Sequence, residues 1–264
     1  MCKANQDPRV EELFSHSEEM LKLAESLYDA CRRKTNKVKS RYRMVLSAYF
    51  SRAHELFESI LLLVREDRIT DAGVLLRSLS NLLININYIA EKKEERATLF
   101  IQDAVRIDLK FLTDNRDFFD PIWTAAEVDV KIKYLNDQKT EIDDIVKKEY
   151  PNAQPLPRHI LDRAGVCKEM KYNYSLVYAD LSRFEHHDFS GSSAYVDADT
   201  CNPVMGADVR VHSAILGHSA ILFFANTLFG MIFEFFNEEY QLKWDDRIHD
   251  LSVKLGALLK IPPP

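Results

Sequence analysis

Proline is missing from the chain between Arg9 and Asp120, and glycine occurs in that stretch once, at Gly73. These two residues are the main breakers of helices, so their scarcity favours long uninterrupted helices and leaves little for strands or tight turns. Cysteine is also sparse. Cys2, Cys31, Cys167 and Cys201 lie far apart and form no CxxC pair, which argues against a zinc site and a disulfide framework and fits a reducing compartment. Positions 1–8 are polar and lack an apolar h-region, so the expectation is a cytoplasmic protein without a secretory signal. With 46% hydrophobic and 29% charged residues over 264 positions, the chain can bury a full core. The net charge of −6 disfavours a general nucleic-acid coat. DNA is therefore not expected as a partner, although a local patch can still hold RNA or phosphate.

Apolar residues at three-and-four spacing predict helices over 10–33, 39–66, 70–91, 94–113, 124–148, 170–188, 212–237 and 240–260. The fold class is thus all-α, a multi-helix bundle of about seven to eight helices. We read it as a single domain over 1–264, with an irregular loop at 189–211 and C-terminal helices over 212–260. Pro151, Pro155 and Pro157 mark a rigid, extended connector. No charged residue occurs from Ala214 to Phe233, which is long enough to span a membrane. His218, Ser219, Asn226 and Thr227 within it, and the acidic flank that starts at Glu234, point instead to a buried core helix. No membrane contact is expected.

Polar groups recur in register on several of these helices. Tyr174, Tyr178, Ser182 and His186 are spaced by four, which puts them on one helical face amid apolar neighbours. Arg77, Asn81, Asn85 and Tyr88 form a second stripe, Ser51, Glu55 and Ser59 a third, and His212, Ser219 and Asn226 a fourth at heptad intervals. If these stripes face inward, Arg77 needs a counter-ion, and Glu55 is favoured over Glu185. Such a cluster can simply fix the register of a bundle. As a site, it would have Ser182, Arg183, His186 and His187 as catalytic candidates and Arg77, Glu55, Asn81 and Tyr178 as ligand-binding residues. An Arg fork would favour an anionic ligand. No cofactor is expected. Nor is a metal, because His186 and His187 are adjacent and point roughly 100° apart on a helix.

One run is strongly basic. Arg32 to Arg43 carries seven positive charges and no acid. Arg32, Arg33 and Lys34 complement a helix C-terminus, so we read the run as a solvated connection rather than an RNA patch.

The residues Arg52-Ala-His-Glu55, Leu75-Leu-Arg77-Ser-Leu and Tyr174-xxx-Tyr178-xxx-Ser182-xxx-His186 resemble a bacterial all-helical family known as domain of unknown function 5677, over roughly 39–188. That resemblance implies a helical fold with an Arg/Ser/His pocket and no particular substrate. The chain is also distantly similar to HEPN-type helical bundles, many of them RNases of toxin and phage-defence systems. Those carry an Arg, four to six residues, then a His. Here Arg183 and His187 have three residues between them, and Arg9 and His16, with six, fall on what reads as a solvated face. The expectation is a ligand-sensing or scaffold protein of a defence or stress system, binding an anionic small ligand or RNA. The alternative is a metal-independent RNase. Either is compatible with a protein partner or a homodimer.

Overall fold

The computed structural model describes residues 8–35, 40–118, 123–165, 170–171, 174–178, 181 and 217–258. Among them are eight α-helices: α1 (Pro8–Thr35), α2 (Arg41–Arg65), α3 (Ile69–Ala90), α4 (Lys93–Asp114), α5 (Ala125–Glu149), α6 (Ile160–Ala164), α7 (His218–Tyr240) and α8 (Asp245–Leu258). No strand occurs among the described residues. The chain is an all-α bundle, as its lack of breakers implies. The loop expected at 189–211 lies outside the described residues.

The helix ends follow local chemistry. Ser40 caps α2 by accepting from the Arg43 amide at 3.1 Å. Thr124 and Glu127 close a reciprocal capping box on α5. The break between α7 and α8 has no glycine or proline to announce it. Gln241 and Lys243 turn the chain at φ 50° and 62°, and the Asn237 amide group holds the turn by donating to Asp245 Oδ1 at 2.8 Å and accepting from the Trp244 amide at 2.9 Å. The expected start of the last helix at Tyr240 is therefore too early: Tyr240 still belongs to α7, and α8 begins at Asp245.

The centre of the bundle is α7, which packs on α1, α2, α3 and α8. Phe57 of α2 and Phe229, Phe233 and Phe236 of α7 are all fully buried, with the Phe57 and Phe229 rings stacked at 4.3 Å. This is the environment expected for the uncharged helix as a core element. Its Asn226, 0% exposed, donates to Ser17 Oγ of α1 at 2.8 Å, and Ser17 in turn donates to the Leu13 carbonyl. The buried polar group is thereby satisfied between two helices. Asn226 of the late polar stripe thus turns toward α1, and His212 of that stripe lies outside the described residues.

Two expectations are corrected. The Ser51, Glu55, Ser59 stripe of α2 is not interior: Ala53, Phe57, Ile60 and Val64 form the buried face, and that rotation turns Glu55 to water. His16, read as solvated, is only 5% exposed and lies on the buried side of α1.

The basic run is partly consumed by the fold. Lys34 donates to the carbonyls of Tyr240 and Gln241, Arg41 pairs with Glu149 at 2.5 Å, and Arg43 donates to the Lys34 carbonyl. Residues 36–39 are outside the described set.

Helix α5 buries only Val128 and Ile142 and packs mainly on α4, where Gln102, Arg106 and Lys139 converge on Asp143 at 2.6, 2.9 and 3.0 Å. Ion pairs on a partly exposed helix face contribute little, and with only two buried residues of its own α5 is a weakly anchored unit. Native-state hydrogen exchange should show its amides opening well below the free energy required for α7. Equal protection of the two helices would contradict this.

Candidate functional site

After α5 the proline-rich connector leads the chain back across the bundle. It ends in the short helix α6, which packs on α3 with Ala164 fully buried. A π-helical turn, Tyr174–Tyr178, follows and also packs on α3, with Val177 buried. Neither α6 nor the π turn was expected from periodicity; a plain α-helix was expected over 170–188. Single π turns widen the helix locally and recur at functional positions. Here the turn stacks the rings of Tyr174 and Tyr178 with centroids 4.9 Å apart at 22°.

Between these elements lies a cavity of about 310 Å³. From α3 come Asn81 and Asn85, one turn apart. The chain around α6 supplies Arg158, His159 and Arg163, and the π turn supplies Tyr174 and Tyr178. Arg163 is held from two sides: its Nη1 donates to Asn85 Oδ1 and its Nε to the Pro157 carbonyl, both at 3.0 Å, while its guanidinium lies 5.0 Å from the Phe100 ring centroid. An arginine fixed in this way presents its remaining N–H groups without losing much further freedom on binding. The Asn81 Oδ1 is buried with no hydrogen-bond partner among the described residues. No carboxylate appears among the described lining residues, so the local field favours an anion.

Arg77 lies one turn before Asn81 on the same face and is 7% exposed. Its Nη2 donates to Tyr178 Oη at 2.6 Å, and its Cζ is 4.3 Å from the centroid of that ring. The burial matches the sequence reading, but the favoured counter-ion does not. Glu55 is on the exposed face of α2, where its carboxylate pairs with Arg52 at 3.1 Å, and it does not reach Arg77. Arg77 therefore sets the position of Tyr178 and is not itself among the lining residues. Tyr88, the last member of the α3 stripe, leaves the cavity altogether: the Arg96 guanidinium stacks 3.8 Å from its ring centroid.

Of the residues proposed from the sequence, Asn81 and Tyr178 meet at the cavity, with Arg77 supporting them. Ser182, Arg183, Glu185, His186 and His187 lie outside the described residues. Sequence reasoning missed Arg158, His159 and Arg163. Their signal was a basic cluster directly behind a rigid connector, which delivers side chains to a defined place.

Fold and site together define a helical bundle with a cation-lined groove. The chain belongs to the family of unknown function DUF5677, whose model matches residues 43–203, more than half of the sequence and slightly further along than the resemblance in its motifs. Every cavity residue lies within that match. No curated protein and no solved structure matches the chain.

Proposed function

We propose that this is a ligand-binding bundle whose groove takes a small anion, serving as a sensing or scaffold component of a bacterial defence or stress system. One observation carries the reading: Arg158, His159 and Arg163 converge with Asn81 and Asn85 on one cavity that has no carboxylate in its described lining. A phosphate or carboxylate satisfies such donors directly, and an arginine anchored by Asn85 can bind it with two parallel hydrogen bonds.

The test is calorimetric titration with inorganic phosphate and with a mononucleotide. Saturable binding is expected, weakening with added salt and falling about tenfold in Arg163→Lys, because a point charge does not replace a fork. Affinity unchanged in both Arg163→Lys and Arg163→Ala, with helicity intact by circular dichroism, would sink the proposal.

A second reading, a metal-independent RNase of the HEPN type, draws on His159 beside the two arginines of the groove and on Arg183, His186 and His187. A proton acceptor next to cations that hold a phosphate is what such cleavage requires. RNA cleaved in the presence of a chelator, and spared by His159→Ala or by His186→Ala, favours this reading. Intact RNA alongside saturable phosphate binding favours the first.

A further inference from the structure

A second cavity, of about 260 Å³, lies between α1, α7 and α8 and shares no lining residue with the first. Its walls are mostly apolar, with Met20, Phe223, Met231, Phe233 and Leu251 around His16. It exceeds the roughly 150 Å³ of an apolar cavity known to take benzene.

His16 is the unusual member. It is 5% exposed, yet its Nδ1 is buried with no hydrogen-bond partner among the described residues. The other buried polar groups nearby are already engaged. Asn226 bonds to Ser17 and to the Leu222 carbonyl, and the Thr227 hydroxyl donates to the Phe223 carbonyl at 2.9 Å. Buried polar groups normally find partners, and the imidazole of His16 stands in the wall of this cavity.

Two glycines add an independent observation. Gly230 and Gly256 both line the cavity, and both lie within helices. A Cβ on Gly256 would meet nothing within 4 Å, and one on Gly230 would meet only the Met20 methyl at 3.7 Å, an ordinary contact. Alanine would fit at either place and suits a helix better. Helix propensity is given up at both positions, and both are in the wall of the cavity that His16 lines.

We propose that this cavity binds a small, neutral, largely apolar molecule bearing one hydroxyl group, an aryl or alkyl alcohol that places its hydroxyl on the His16 imidazole. A hydroxyl both donates and accepts, so it suits either tautomer of the imidazole. Burial pushes the His16 pKa down, which favours the neutral ring, so the imidazole itself offers an anionic ligand no charge. Glu234 at the lining repels anions further. The ligand class thus differs from that of the groove on α3.

The test uses protein with ¹³C-labelled methionine methyl groups, because Met20 and Met231 are built into the cavity wall. The probes are 2-phenylethanol, propylbenzene, 2-phenylethylamine and phenylacetate. Saturable shifts of both methyl resonances are expected with 2-phenylethanol, with propylbenzene about tenfold weaker and the two charged probes weaker still. Gly256→Leu, which fills the space, should weaken 2-phenylethanol by tenfold or more while the melting temperature holds. Unmoved methionine methyls with the alcohol would overturn the proposal. So would equal affinity for propylbenzene, tighter binding of the amine, or unchanged affinity in Gly256→Leu.

Discussion

Replacing Arg77 by alanine is expected to destabilise the fold by about 2 to 5 kcal/mol. A buried hydrogen bond from a charged donor is worth about 1.5 to 3 kcal/mol, and a desolvated cation–π contact about 0.5 to 2. Arg77 makes both with the same partner, Tyr178. Urea denaturation followed by circular dichroism would measure the loss, and a double-mutant cycle with Tyr178→Phe should show that the two residues are coupled. The companion variant separates this account from the one suggested by the sequence. If Glu55 were the buried counter-ion, Glu55→Gln would be costly. On the exposed face of α2, paired with Arg52, it should stay within about 0.5 kcal/mol. A loss below about 1 kcal/mol for Arg77→Ala would show that the pair does not hold the π turn in place.

Phe229→Ala should cost about 3 to 5 kcal/mol, the range for emptying a packed aromatic position. The ring is fully buried, stacks on Phe57 at 4.3 Å and touches Phe233 at 4.7 Å, so the surrounding helices have little freedom to collapse into the space. Phe223→Ala, on the same helix but only partly buried, is the control and should cost clearly less. Similar midpoints for the two variants would mean that α7 does not organise the core. The comparison also probes the uncharged helix as a bundle element, since its two faces then differ in what they contribute.

How much of this was legible before the structure depends on which signal each feature leaves in the chain. Long helices announce themselves through apolar spacing and the absence of breakers, which is why α1 to α5 fall within a few residues of expectation. The C-terminal break does not, because Gln241 and Lys243 adopt left-handed backbone that neither residue advertises. Burial of Arg77 was readable from its leucine neighbours. Its partner was not: a stripe of polar residues gives a face, and only the rotation of α2, set by Ala53, Phe57 and Ile60, decides whether Glu55 looks inward. The groove needed a third kind of information. Asn81 and Asn85 are nearly one hundred positions from Tyr178, and what unites them is the path of the connector after α5, a property of the whole packing.

The contact between Ser17 and Asn226 joins residues 209 apart in sequence. On a ribosome adding about 5 to 20 residues per second, the Asn226 side of that pair is made roughly 10 to 40 s after Ser17. Until then the apolar side of α1, with Leu13, Met20 and Leu27, has no α7 to close over it. The nascent chain therefore carries α1 incompletely covered throughout that interval. That interval is when it is most open to self-association or to capture by a chaperone.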